Sequence, residues 1–193
     1  MTKKIEEEKK EEITAITCGL IMPISAIDGY TTEHWKEIKN ILTDSIKSIK
    51  EYTIEVKLVS DADEIGVIQK RIVQNIYDSD IVVCDVSAKN PNVMFELGMR
   101  LAFDKPTVIV IDDKTGYSFD TGLIEHVGYP KDLRFQQIVD FKNKLAIKVL
   151  ATYKKSIENP EHSTFLKNFG KFEIAKLEET TVPANALIIN MLS

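Results

Sequence analysis

Asp80-Ile-Val-Val-Cys-Asp-Val-Ser-Ala-Lys-Asn-Pro-Asn-Val-Met-Phe-Glu-Leu-Gly98 decides the fold of this chain. Its first part, Asp80 to Val86, is a β-branched apolar run too short for a helix and without polar alternation. That pattern predicts a strand buried on both faces, as in the centre of a parallel sheet. The run ends by delivering Asp85 and Ser87 to the far edge of the sheet. In Asn90-Pro91 the Asn suits a helix cap and the Pro a first turn, after which Val93, Leu97 and Leu101 form an apolar stripe. A central strand, a short polar turn and a helix thus follow one another.

The same alternation extends in both directions. Upstream, Ile13 to Met22 predicts a buried strand ending at Pro23, and Thr53 to Val59 a second one. Between them, Trp35, Ile38, Leu42, Ile46 and Ile49 mark one helical face, with Thr31 or Thr32 as its cap. Ile65, Ile68, Ile72 and Ile76 repeat that spacing. Downstream, Pro106 to Ile111 predicts a fourth strand and His126 to Tyr129 a weaker fifth. A long helix over about 133–157 follows, its buried face carried by Ile138, Phe141, Leu145, Val149 and Tyr153. Strands alternating with helices imply right-handed crossovers and a parallel sheet covered on both sides. The expected fold class is therefore α/β, a flavodoxin-like doubly wound parallel sheet of order 2-1-3-4-5 with a C-terminal helical or mixed extension. One domain is expected over 13–157. Residues 1–12 alternate Lys and Glu and are read as a charged arm. Residues 158–193 carry Phe165, Phe169, Phe172 and an apolar run from Ala186 to Leu192, too hydrophobic for a solvated linker; they are expected to pack on the domain or on another subunit.

Composition narrows the function. The chain has 193 residues, 44% hydrophobic and 28% charged, with a net charge of −5. These are the proportions of a globular domain, and the negative balance gives no reason to expect a nucleic-acid surface. No segment approaches the ~18 apolar residues of a membrane span, so a cytoplasmic protein without a membrane partner is expected. Cys18 and Cys84 lie in apolar strands without zinc or redox spacing, and His34, His126 and His162 are isolated, so no metal site is expected. No G-x-G-x-x-G follows the first strand and no G-x-x-x-x-G-K-[ST] occurs, which weakens hydride transfer and P-loop phosphoryl transfer.

In an open parallel sheet the ligand crevice lies beyond the carboxyl ends of the strands. The loops there contribute Pro23, Ser25, Asp28 and Tyr30, then Asp61 and Asp63, then Asp85, Ser87, Asn90 and Asn92, with Glu96 a turn into the next helix. A site of acids and amides suits a reaction that develops positive charge on a sugar, as when an N-glycosidic bond breaks through an oxocarbenium-like transition state. One carboxylate stabilises or captures that cation, and a second acid, an Asn or a Ser holds hydroxyls or moves the proton. Each residue also has a plainer reading. Glu96 and Arg100 are spaced for an exposed intrahelical ion pair worth about 0.3–0.5 kcal/mol. Asp85, Asn90, Asn92, Asp61 and Asp63 suit caps and turns, and Tyr30 suits packing as well as base stacking.

The string from Ile81 to Val110 resembles the nucleoside 2-deoxyribosyltransferase-like families, which are related in fold to TIR domains. Leu20-Ile-Met-Pro-Ile-Ser25 is similar to their first strand and loop, and Ser118-Phe-Asp120 before Gly128-Tyr129 to a later segment. The similarity covers roughly 13–155, and Asn-Pro-Asn-x-x-x-Glu-Leu-Gly is its most specific part. The resemblance implies that Glu96 is catalytic and that Asp85 contacts the sugar or base. It implies base exchange, nucleotide glycosidic hydrolysis or NAD cleavage, the last in antiphage or immune signalling, with the nucleotide as substrate and no separate cofactor. It also implies a homo-oligomer and a defence-system partner protein. True deoxyribosyltransferases carry an acid- and Gly-rich stretch where this chain has Asn90-Pro-Asn-Val93, which favours hydrolysis or signalling over exchange. Two functions follow: an N-glycosidase acting through Glu96, or a non-catalytic module that binds a nucleotide signal or assembles with a partner through the same crevice.

Overall fold

The computed structural model describes residues 15–61, 68–118, 121–122, 124–159 and 165. The expectations for the charged arm, for Asp63, Ile65, Phe119 and Asp120, and for nearly all of the C-terminal extension lie outside them. The described elements are β1 (Ala15–Ile21), α1 (Thr32–Lys47), β2 (Thr53–Leu58), α2 (Ile68–Asp78), β3 (Ile81–Asp85), α3 (Pro91–Ala102), β4 (Thr107–Asp112), β5 (His126–Tyr129) and α4 (Phe135–Glu158). The five strands form one sheet in the order β2-β1-β3-β4-β5, and every pairing is parallel. This is the flavodoxin-like order expected from the alternation of elements. None of the described helices is long and apolar enough to cross a membrane.

All five residues of β3 are buried, which explains its lack of polar alternation. Successive side chains point to opposite faces of the sheet. Ile81 and Val83 join a core with Cys18, Leu20, Val108 and Val110, closed by Trp35, Ile38 and Leu42 of α1 and Phe141 and Leu145 of α4. Val82, Cys84 and Val86 join Ile109 and Ile111 in a second core, closed by Ile76 of α2 and Val93, Leu97 and Leu101 of α3. Gly19 lets β1 approach the end of α2. A Cβ there would stand 2.6 Å from Ser79 Oγ and 3.1 Å from Val59 Cγ1.

The helix starts follow their local chemistry. Thr31 caps α1, accepting from the His34 amide at 3.1 Å. Asn90 caps α3, its Oδ1 accepting from the Asn92 and Val93 amides at 2.9 and 3.3 Å, with Pro91 in the first turn. The stripe predicted for α2 is only partly realised. Ile76 is fully buried, but Ile68 is 59% exposed, and Ile72 borders an open cleft instead of the core centre.

The ion pair that spacing allows between Glu96 and Arg100 does not form. Arg100 is fully buried. Its Nη1 donates to the carbonyls of Ile76 (2.6 Å) and Ser79 (2.9 Å), and its Nη2 to that of Pro106 (2.9 Å). The guanidinium thus fastens α3 to buried carbonyls at the end of α2 and to the turn entering β4. Desolvation brings its pKa down to about 9, partly opposed by the negative charge of Asp80.

Candidate active site

The segment from β3 into α3 carries Glu96 to the carboxyl end of the sheet. Asn90 and Pro91 fix where α3 begins, and the buried stripe Val93, Leu97, Arg100 and Leu101 fixes its rotation. Asn92, Phe95, Glu96 and Met99 are consequently turned toward a cleft of about 410 Å³, the size of a small-molecule site. Its other walls are Met22, Pro23, Ile24 and Ser25 after β1, Val59 and Ser60 after β2, and Gln69, Ile72 and Val73 of α2. β1 and β3 are sheet neighbours whose onward connections lead to opposite faces, so the cleft sits at the topological switch point.

Glu96 is the one ionisable side chain among the described residues lining this cleft. It is half-buried, and among the described residues it has neither an ion pair nor a hydrogen-bond partner. Desolvation alone raises its pKa above the ordinary glutamate value. An uncompensated carboxylate against apolar walls is high in energy as an anion and gains from any positive charge that develops beside it. Around it, Ser25, Ser60, Asn90, Asn92 and Gln69 supply hydroxyls and amides. Asn90 spends its carbonyl oxygen on the helix cap, which leaves its amide hydrogens for a ligand.

The other acid of the segment lies elsewhere. Asp85 shares its strand parity with Ile81 and Val83, so its side chain points to the α1/α4 face and is fully buried. Its Oδ1 accepts from the Ser87 amide at 2.9 Å and its Oδ2 from the Tyr129 hydroxyl at 2.8 Å. Ser87 Oγ lies 3.0 Å from the same tyrosine oxygen and accepts from the Asp112 amide at 2.8 Å. Tyr30 then donates to Asp112 Oδ2 at 2.6 Å, and Asp112 Oδ1 receives the amides of Lys114 (3.0 Å) and Thr115 (2.7 Å). Thr115 Oγ1 accepts from the Ala88 amide at 2.9 Å. That bond holds a turn in which Ala88 and Lys89 adopt φ of 58° and 49°, the left-handed region that non-glycine residues seldom occupy. Desolvation raises the Asp85 pKa to about 6 against the lowering effect of its Ser87 and Tyr129 bonds. Burial likewise lifts the Tyr30 phenol to about 12, helped by Asp112. The whole is a closed, satisfied network that knots the ends of β3, β4 and β5 to the loop after β1.

The residues predicted for one crevice therefore divide. Glu96, Pro23, Ser25, Asn90 and Asn92 share the cleft. Asp85 does not, because strand parity directs it to the opposite face of the sheet, and Ser87 does not, because its hydroxyl is engaged there with Tyr129 and the Asp112 amide. Tyr30 does not either: its ring stacks on Trp35 at 4.9 Å with an interplanar angle of 15°, and Lys131 Nζ lies 3.6 Å from its centroid. Asp28 sits exposed at the tip of the turn closed by Tyr30 N–H to Ile27 O at 2.7 Å, where Gly29 supplies the φ of 77°. Asp61 lines a separate groove beside β2 and α2 and pairs with Lys39 at 3.6 Å. Ser60, Gln69, Phe95 and Met99 line the cleft without having been singled out in the sequence. For Phe95 and Met99 the signal was available, since they fall three and seven residues after Asn92 on the helix.

No protein-family model matches the chain, and no curated protein does. Among solved structures it is similar to the 2-deoxyribosyltransferase of Leishmania mexicana, at 17% identity and a TM-score of 0.36, over 51% of this chain and 65% of that enzyme. It is also similar to the 2-deoxyribosyltransferase of Bacillus psychrosaccharolyticus, at 15% identity and 0.44, over 66% of this chain and 90% of that one. An oxidoreductase from Corynebacterium diphtheriae overlays at 12% identity and 0.41, over 77% of this chain and 100% of that one. Overlays this loose, spanning enzymes of two named activities, carry no functional argument.

Proposed function

We propose that this chain breaks the N-glycosidic bond of a nucleoside, with Glu96 as the carboxylate that faces the anomeric carbon. The observation that carries the reading is the state of Glu96: without a partner among the described residues, half-buried, raised in pKa by desolvation alone, and the one ionisable group among the described residues of an otherwise apolar and amide-lined cleft. In the reaction the C1′–N bond breaks and its electron pair leaves on the base nitrogen. Positive charge grows on C1′ and the ring oxygen, where the carboxylate opposes it or bonds to it. A water oxygen, or the nitrogen of a second base, then bonds C1′, and the proton it releases balances the one taken up by the departing base. Ser25, Ser60, Asn90 and Asn92 are the neutral groups that hold sugar hydroxyls or a proton-carrying water.

The cleft's charge refines the substrate class. None of its described lining residues is Lys or Arg, and its single charge is negative. A phosphate or pyrophosphate would meet repulsion from Glu96 and no cationic partner among those described residues. Uncharged nucleosides are therefore favoured over nucleotides and over NAD, which places the NAD-cleaving and defence readings of the sequence behind a nucleoside reading.

Chromatography of base released from purine and pyrimidine ribo- and deoxyribonucleosides, nucleotides and NAD tests this. Turnover of at least one nucleoside is expected, and Glu96→Gln should reduce it by about 10³-fold with the fold intact by circular dichroism. The acid limb of the rate profile should lie above the ordinary glutamate range, because the ionised form is needed and is lost as pH falls through a raised pKa. Unchanged turnover in Glu96→Gln contradicts the proposal. One observation favours a non-catalytic binding module instead: no second ionisable side chain among the described residues shares the cleft to protonate a leaving base. Tight nucleoside binding without released base, in the wild type, is the outcome that selects it.

A further inference from the structure

Phe95 is 69% exposed although it borders an apolar cleft, and Ile24, on the facing loop after β1, is 55% exposed and borders the same cleft. A large aromatic on a helix surface needs no explanation by itself. Its position does: Phe95 immediately precedes Glu96, and Asn92, Phe95, Glu96 and Met99 form one i, i+3, i+4, i+7 stripe. Two apolar side chains from different elements thus stand open at the mouth of a cleft whose carboxylate is one residue away. From the proposed reaction and this geometry we infer that Phe95 and Ile24 form the base-binding slot, Phe95 presenting its ring to the face of the nucleobase. The base and the anomeric carbon are joined by a single bond. A ring held against Phe95 therefore sets C1′ against the neighbouring carboxylate, and the apolar walls beyond, Met99 and Ile72, favour a flat, uncharged heterocycle. Stacking of this kind tolerates any base, because every base has a π-face, so the slot predicts broad base acceptance with selectivity left to the sugar end.

The inference rests on the nucleoside reading, and the test separates the two. Full-length wild type, Phe95→Ala, Phe95→Tyr and Ile24→Ala are titrated with 2-aminopurine riboside by fluorescence anisotropy, alongside turnover and inhibition by methyl β-riboside, which carries the sugar without a base. Phe95→Ala should weaken 2-aminopurine riboside binding by roughly 5- to 100-fold, Phe95→Tyr should restore it, and methyl β-riboside should inhibit all four proteins equally. In turnover the loss should appear in KM more than in kcat. Equal affinity of wild type and Phe95→Ala, or no binding of 2-aminopurine riboside by the wild type at millimolar concentration, overturns the slot. If the wild type binds the probe through Phe95 but releases no base from any nucleoside, the slot stands and the catalytic reading falls.

Discussion

Two carboxylates of one strand-turn-helix segment meet opposite fates. Asp85, at the end of β3, is sealed on the α1/α4 face with both oxygens satisfied by Ser87 and Tyr129. Glu96, in α3, stands half-buried and unpartnered among the described residues in the cleft on the other face. Both have raised pKa values with desolvation as the largest cause, yet only one has room for a ligand. A raised pKa alone therefore does not tell an acid open to a ligand from a sealed one; access and unmet hydrogen-bonding capacity do. The closed side fixes the ends of β3, β4 and β5, and the open side uses the platform so made.

The largest expected effect concerns the strut that holds the open side in place. Arg100→Ala leaves the Ile76, Ser79 and Pro106 carbonyls without their charged donor, and should cost about 3 kcal/mol or more in urea unfolding. A loss near the few tenths of a surface ion pair would break the account of α3.

Asp85→Asn sharpens the comparison from the closed side. The folded pKa of Asp85 is raised to about 6, so the native state holds its proton more tightly than the unfolded chain does. Its favourable contribution is present below the ordinary carboxylate range, near pH 4, and is lost as pH rises through about 6. Relative to Asp85→Asn, the wild type should lose on the order of 2 to 3 kcal/mol between pH 4 and pH 7. Parallel pH profiles of the two proteins would show that Asp85 is not held as described.

Tyr129→Phe removes the hydroxyl that serves both Asp85 and Ser87, and should cost about 1 to 3 kcal/mol by thermal unfolding while leaving KM unchanged. A shifted KM at unchanged stability would instead connect the network to the cleft. The smallest effect is on the open side. A Cβ at Gly98 meets nothing within 4 Å, so Gly98→Ala should raise stability by about 0.5 to 1 kcal/mol. Destabilisation there would mean that another surface sits against α3.

Much of the fold was legible because its signals are local. The Asn90-Pro91 start of α3, the span of β5 and the buried face of α4 follow from capping chemistry and periodicity over a few residues. The partition of the site was not legible. A strand buried on both faces shows no polar alternation, so nothing in Ile81 to Val86 tells which way Asp85 points. Asp112, Tyr129 and Thr115 meet Asp85, Ser87 and Tyr30 only through the sheet order, across separations no local pattern spans. Arg100 could have been read better. It lies seven residues after Val93 and three after Leu97, inside the apolar stripe, which is a buried address whatever its spacing from Glu96.

The most direct measurement is base release from the best nucleoside substrate by wild type, Glu96→Gln and Asp85→Asn, side by side at neutral pH with folding verified for each. The account predicts that Glu96→Gln loses about three orders of magnitude in kcat while Asp85→Asn stays within a few-fold of wild type. Retained turnover in Glu96→Gln, or equal collapse of both variants in folded protein, would contradict it.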